Sequence, residues 1–289
     1  MNPIVPEVQL PDASRIPAIG FGVYRMDSET CEKTVLEALN AGYRFIDTAA
    51  LYGNEEAVGR AIKSSGIARD QLFISTKLWL QDTTYDRAKP AFHASLDRLG
   101  LDYVDLYVIH QPYNDLYGAW RALAELQASG LIRTIGIDNF DSARLADFVA
   151  FNDVAPAVNF LEVNPFCQQT YEIDFMRAKG VQPLAWSPLG AGNASILSDP
   201  TIVDIAHAHE KTSAQIILRW LVQRDIIPVV KSSNPHRIRE NIDIFDFSLS
   251  ESDMNRISLL DTGIGMVDPR KHGHHVEVFL RTALEKHGA

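Results

Sequence analysis

Short apolar runs rich in β-branched and aromatic residues alternate along this chain with stretches of helical periodicity, and the alternation repeats eight times. The spacing predicts strands at residues 19–22, 43–47, 72–77, 104–109, 132–138, 158–163, 181–187 and 227–230. Helices are predicted at 29–40, 55–64, 87–99, 117–128, 143–150, 172–179, 213–223 and 235–241, the last opened by Asn234 as a cap and Pro235 in the first turn. The runs are apolar on both faces, as parallel strands covered on both sides must be. Gly42, Gly100, Gly130 and Gly180 each precede a strand, where a helix ends on a residue tolerant of positive φ. Eight strand–helix units with no break in composition predict one α/β domain over residues 1–289, a closed (β/α)8 (TIM) barrel whose loops and C-terminal tail cover the active-site mouth. An open doubly wound sheet would need a glycine-rich turn leading into a helix. Gly20-Phe21-Gly22 lacks both the third glycine and the helix start.

The chain is acidic: 37 Asp and Glu against 27 Lys and Arg give a net charge of −10. That excludes a general affinity for nucleic acid or an anionic membrane. No apolar stretch approaches the ~20 residues of a membrane-spanning helix. The N-terminal stretch has neither the basic start nor the apolar run of a secretion signal. Cys31 and Cys167 fit neither a disulfide framework nor a metal spacing, and they read as small core hydrophobes. A cytoplasmic address and a monomeric state are the expectations, since no long exposed apolar segment demands a partner.

In such a barrel the chemistry gathers at the C-terminal ends of the strands. Asp47 closes the second strand, Tyr52 follows in its loop, and Lys77 closes the third. The fourth runs into His110, and the fifth ends in Asp138 and Asn139. Taken singly, an aspartate there is an ordinary turn residue and a tyrosine is packing. Taken together, Asp47 and Lys77 can pair across the mouth, with the lysine cation near the Tyr52 phenol. A nearby cation lowers a phenol from its usual pKa of about 10 toward working pH. Tyr52 is then expected to act as a general acid, with His110 orienting the group that takes the proton.

Residues 45–56, Phe-Ile-Asp-Thr-Ala-Ala-Leu-Tyr-Gly-Asn-Glu-Glu, resemble the signature of the aldo-keto reductases. So do Ile-Ser-Thr-Lys-Leu-Trp at 74–79, Asp-Leu-Tyr-Val-Ile-His at 105–110 and Val-Val-Lys-Ser-Ser-Asn-Pro-His-Arg-Ile-Arg-Glu-Asn at 229–241. The resemblance runs from residue 19 to about 247 and is nearest to bacterial members such as the diketogluconate reductases. It implies NADPH-dependent reduction of a small-molecule aldehyde or ketone, with Asp47, Tyr52, Lys77 and His110 as the catalytic tetrad. It implies the cofactor's 2′-phosphate on Lys231, Ser232, Ser233, Asn234 and Arg237, with the adenine against Glu240 and Asn241. The nicotinamide would stack on Trp186, before the turn that holds Ser187 and Leu189. A lysine, an arginine and a helix start converging on one dianion is also sound physics. Tyr24, Trp79 and Gln111 match positions that line the substrate pocket.

The chain departs from that pattern at three positions. Asp138 stands where the family has serine and Phe160 where it has glutamine, and both family side chains hold the nicotinamide amide. A carboxylate accepts but does not donate, so Asn139 would have to donate instead. The carboxylate's charge also favours the oxidised, cationic ring. Gln111 replaces a tryptophan of the pocket wall. No metal is expected: His272, His274 and His275 near Asp268 lack further ligand spacing, and His207 and His209 lie two apart, off a common helix face. Two rival readings remain. A lyase using Lys77 as a Schiff-base amine is opposed by the adjacent Asp47, and a non-catalytic NADPH-binding sensor is opposed by the complete tetrad.

Overall fold

The computed structural model describes residues 3–192, 194–265 and 273–286. It opens with an antiparallel hairpin, β1 (Glu7–Gln9) and β2 (Arg15–Pro17). The repeat then runs β3 (Gly20–Gly22), α1 (Ser28–Ala41), β4 (Phe45–Asp47), α2 (Glu55–Ser65), β5 (Phe73–Leu78), α3 (Tyr85–Leu99), β6 (Val104–Ile109), α4 (Leu116–Ala128), β7 (Ile132–Asp138) and α5 (Ser142–Ala150). It continues with β8 (Val158–Glu162), α6 (Thr170–Ala178), β9 (Gln182–Trp186), α7 (Ala194–Leu197), α8 (Pro200–Ala208), α9 (Ser213–Gln223), β10 (Ile227–Val230) and α10 (Pro235–Ile242). Two further helices follow, α11 (Glu251–Ser258) and α12 (Gly273–Lys286). Strands β3 to β10 pair in sequence order, all parallel, and β10 returns to β3 to close the barrel.

The predicted strands and helices are all present, with shifted ends that have physical causes. Strand β4 starts at Phe45 because the Tyr43 N–H bonds Ala38 O and so belongs to the closing turn of α1. Strand β9 stops at Trp186 because Ser187 turns with φ +50°. The four interstrand glycines take φ between +64° and +110°, as predicted. The hairpin and α11 fall outside the eightfold pattern. Each hairpin strand has three residues, too few for a period of two to register. Helix α11 buries Ile257 alone, too little for an apolar stripe.

The barrel interior is filled by Phe45, Phe73, Leu106, Val108, Phe160 and Leu184, with Leu10 and Ile16 of the hairpin packed against them. Gly20 is required there, since a Cβ would lie 2.5 Å from the Phe45 ring. A larger core with Trp120, Trp220, Phe92 and Phe148 joins the sheet to its helices. Cys31 and Cys167 are buried, and burial pushes the Cys31 thiol up to about 12. Among the described residues no helix is long and apolar enough to cross a membrane. Asp268 and His272 lie outside the described residues.

Candidate active site

Asp47 is the last residue of β4 and Lys77 the penultimate residue of β5. The Lys77 ammonium lies 2.6 Å from each Asp47 carboxylate oxygen and donates to Thr48 O at 3.2 Å. Ser75, two residues earlier and so on the same face of the strand, donates to Asp47 Oδ1 at 2.5 Å. All three side chains are buried. Tyr52 ends a short helical turn after β4 (Ala50–Tyr52), and its ring centroid lies 5.5 Å from Lys77 Nζ. His110, one residue past β6, is hung from β5 by its N–H to Leu78 O at 3.1 Å. Its ring meets Tyr52 edge-on at 5.7 Å. The structure thus brings all four predicted residues together.

The electrostatics correct one expectation. Tyr52 is not lowered toward neutrality: burial, followed by Asp47, Asp138 and Tyr24, holds its phenol well above the ordinary value of 10. The Lys77 charge is met by both oxygens of Asp47, so little net cation is left to favour a phenolate. Burial and the neighbouring Lys77 hold His110 well below its usual 6.5, so the imidazole is neutral. Around pH 7 the site therefore holds a protonated tyrosine beside an uncharged histidine.

Two positioning residues carried no signal in the sequence beyond their place in the signature. Asn54 accepts from the Thr48 hydroxyl at 2.9 Å and donates to Val23 O and Met26 O, tying the Tyr52 loop to the segment after β3. Glu55 is buried at the start of α2, accepts from Thr76 on β5 at 2.5 Å and pairs with Arg98 of α3 at 2.7 Å. An acid in the first turn of a helix reads as a solvent-facing partner of the helix dipole. Its burial becomes visible only once the helix is docked.

The predicted pocket residues form an aromatic wall. Tyr24 packs on Tyr52 at 4.9 Å and Trp79 on His110 at 5.0 Å, while Gln111 is half-buried beside them in the chain. Helix α12 extends the wall with Phe279, whose ring lies 6.4 Å from Trp79 and 6.0 Å from Tyr113. Leu51, Leu80, Leu280 and Ala283 pack in the same cluster, and Gln81 Nε2 donates to Ala283 O at 2.8 Å. Neither Phe279 nor Tyr113 stood out in the sequence, because a stripe that faces a loop has no strand pattern to match.

The residues expected to hold a cofactor fall into two groups. At the mouth, Trp186 donates its indole N–H to Asn139 Oδ1 at 3.1 Å. Asn139, with φ +67°, bonds Phe160 O through its backbone N–H at 2.8 Å and reaches His110 O with Nδ2 at 3.4 Å. Asp138 and Phe160 are register partners, both buried, and the Phe160 ring centroid lies 4.9 Å from Lys77 Nζ. Ser187 accepts from Gly190 N–H at 2.9 Å, and Leu189 packs half-buried on the core.

At the start of α10, Asn234 caps the helix by accepting from His236 N and Arg237 N, and Ser232 Oγ accepts from Asn234 N at 3.1 Å. Lys231, Ser233 and Arg237 are exposed, and among the described residues neither cation is held in an ion pair. Two uncommitted cations at a capped helix start fit a phosphate dianion. Glu240 accepts from Thr212 at 2.8 Å, and Asn241 is buried behind it.

The sequence profile of the aldo/keto reductase family matches residues 18–261. The chain is 41% identical over 280 residues to morphine 6-dehydrogenase of Pseudomonas putida, covering 92% of this chain and 95% of that one. It is 43% identical over 256 residues to glyoxal reductase of Bacillus subtilis, covering 88% and 92%. A Bombyx mori aldo-keto reductase, solved in complex with NADP, superimposes with a TM-score of 0.88 at 34% identity, covering 91% of this chain and 95% of that one. The chain belongs to the aldo/keto reductase family, and it is an NADP-dependent oxidoreductase acting on carbonyl compounds.

Proposed function

We propose that the protein reduces an aldehyde or ketone with an apolar or aromatic body to the alcohol, with Tyr52 as the general acid. The observation that carries this reading is the meeting of Asp47, Tyr52, Lys77 and His110 at the ends of β4, β5 and β6. When bound, NADPH supplies the hydride. Tyr52 keeps its proton in the resting site because burial disfavours the phenolate. It gives that proton to the carbonyl oxygen as negative charge develops there, since an alkoxide is a far stronger base than a phenolate. Lys77, fixed by Asp47, whose Oδ1 also accepts from Ser75, stands ready to stabilise the phenolate left behind. Neutral His110 has one ring N–H to donate to the carbonyl oxygen and orients it without competing for the proton.

Trp186 and Asn139 would hold the nicotinamide, and Lys231, Ser232, Ser233, Asn234 and Arg237 the 2′-phosphate. The aromatic wall of Tyr24, Trp79 and Phe279 suits flat or apolar substrates. The test is NADPH consumption over a panel of aldehydes and diketones, with NADH alongside. The Tyr52→Phe variant should lose about 10²- to 10⁴-fold in kcat, the range typical of a lost general acid, with NADPH affinity unchanged. Full turnover by that variant would overturn the assignment. Tight NADPH binding with no turnover across the panel would favour the sensor.

A further inference from the structure

We propose that Asn54 sets the spacing between the general acid and the pocket wall: one buried amide fixes both the loop that carries Tyr52 and the turn that carries Tyr24, so rate and substrate fit depend on it together. The inference rests on the assignment of Tyr52 as the acid. Asn54 stands at the N-cap of α2, where an asparagine ordinarily accepts from the free N–H groups of the first helical turn. Here the side chain makes no cap hydrogen bond, although it is 2% exposed and has no solvent to turn to. Its hydrogen bonds go to two other segments instead.

The amide nitrogen donates to Val23 O at 3.0 Å and to Met26 O at 3.3 Å. Those two carbonyls bracket Tyr24, in a turn closed by the Met26 N–H to Val23 O at 3.3 Å. The turn is strained: Arg25 holds φ +57° without being glycine, a conformation that persists where the surroundings over-determine it. On its other side the amide oxygen accepts from the Thr48 hydroxyl at 2.9 Å, and Thr48 O receives the Lys77 ammonium at 3.2 Å. A flipped amide would set its oxygen against both carbonyls, so the side chain has one workable orientation. Along the chain Asn54 lies two residues past Tyr52, across Gly53 at φ +66°. The rings of Tyr24 and Tyr52 thus meet at 4.9 Å with both backbones anchored to one side chain. Without that anchor the turn and the loop are free to shift against each other, and a misplacement of about 1 Å at a reacting group lowers a rate about 100-fold.

The experiment is steady-state reduction of a bulky aromatic aldehyde and of a two-carbon aldehyde by the unmodified protein and its Asn54→Asp, Asn54→Ser and Thr48→Val variants. NADPH affinity, by tryptophan fluorescence, and Tm are measured on the same preparations. Asn54→Asp keeps the shape but removes the amide donors, and Asn54→Ser is too short to bridge the two segments. Both should lose about 10- to 100-fold in kcat on both aldehydes and raise KM about 3- to 10-fold for the aromatic one alone, the substrate large enough to lean on Tyr24. NADPH affinity should stay within about twofold, since neither segment is assigned to the cofactor. Thr48→Val leaves both donations to the Tyr24 turn in place, so it should lower kcat by less and leave both KM values unchanged. Variants that fold, melt at a lower temperature and keep the kcat and KM of the unmodified protein would reduce Asn54 to a structural role and overturn the inference. A weakening of NADPH binding large enough to account for the whole loss would overturn it too. A folding failure in one Asn54 variant leaves the other to decide. Full turnover by Tyr52→Phe would remove the acid on which this inference rests, whereas unchanged kinetics in the Asn54 variants overturn this inference alone.

Discussion

At the Tyr52 hydroxyl two tendencies compete, and burial prevails over the nearby cation. The sign of that outcome fixes a pH dependence. A phenol raised above 10 stays protonated until the pH passes the raised value, so the general acid proposed for reduction is present throughout the neutral and mildly alkaline range. We expect kcat/KM for carbonyl reduction, which reports the free enzyme, to show no fall due to Tyr52 between pH 7 and about 10. A decline centred at pH 8 to 9 that disappears in Tyr52→Phe would contradict it. The four site residues were legible in the sequence because each is polar at or just past the end of an apolar run, where a barrel gathers its chemistry. The direction of the Tyr52 shift was not. It depends on Asp47 meeting Lys77 with both oxygens and on how deeply the phenol is buried, neither of which linear spacing encodes.

Among the elements, β3 to β10 were legible because buried parallel strands announce themselves as continuous apolar runs. Helix α12 was not, because its apolar side docks on the loop after β5 rather than on the sheet. There Phe279 meets Trp79 and Tyr113, and the backbone is fastened by Gln81. The docking suggests that α12 selects substrates rather than supporting the barrel. Phe279→Ala should raise KM for a bulky aromatic aldehyde about 5- to 30-fold, equivalent to losing ~1–2 kcal/mol of aromatic contact, with kcat nearly unchanged. A two-carbon aldehyde, too small to reach the ring, should be little affected. Equal losses on both substrates would mean that Phe279 supports the mouth and not the substrate.

Across the whole molecule the two ends of the barrel divide the work. The C-terminal ends of the strands carry the site. Elsewhere on β6, buried Asp105 receives the Ile74 N–H and pairs with Arg69 and Arg133, whose guanidinium groups flank the Tyr103 ring at 4.1 and 4.2 Å. Stability also has an alkaline limit set by phenols away from the chemistry. Tyr43 packs edge-on to Phe21 and Tyr107 edge-on to Phe92; both side chains are fully buried, and burial raises both phenols far above 10. In the unfolded chain they ionise near pH 10, so below that pH they cost the fold nothing. Above it the unfolded state sheds protons that the folded state retains, and stability falls as pH rises. Each group contributes about 1.36 kcal/mol per pH unit, so the pair removes ~2.7 kcal/mol per unit above pH 10. Urea unfolding at pH 9, 10 and 11 should show that extra slope in the unmodified protein, and the Tyr43→Phe/Tyr107→Phe double variant should lack it. Absorbance at 295 nm should show the two phenols ionising only as the barrel opens. Identical slopes in the two proteins, with full phenolate absorbance reached before unfolding, would mean that water reaches these rings in the folded state.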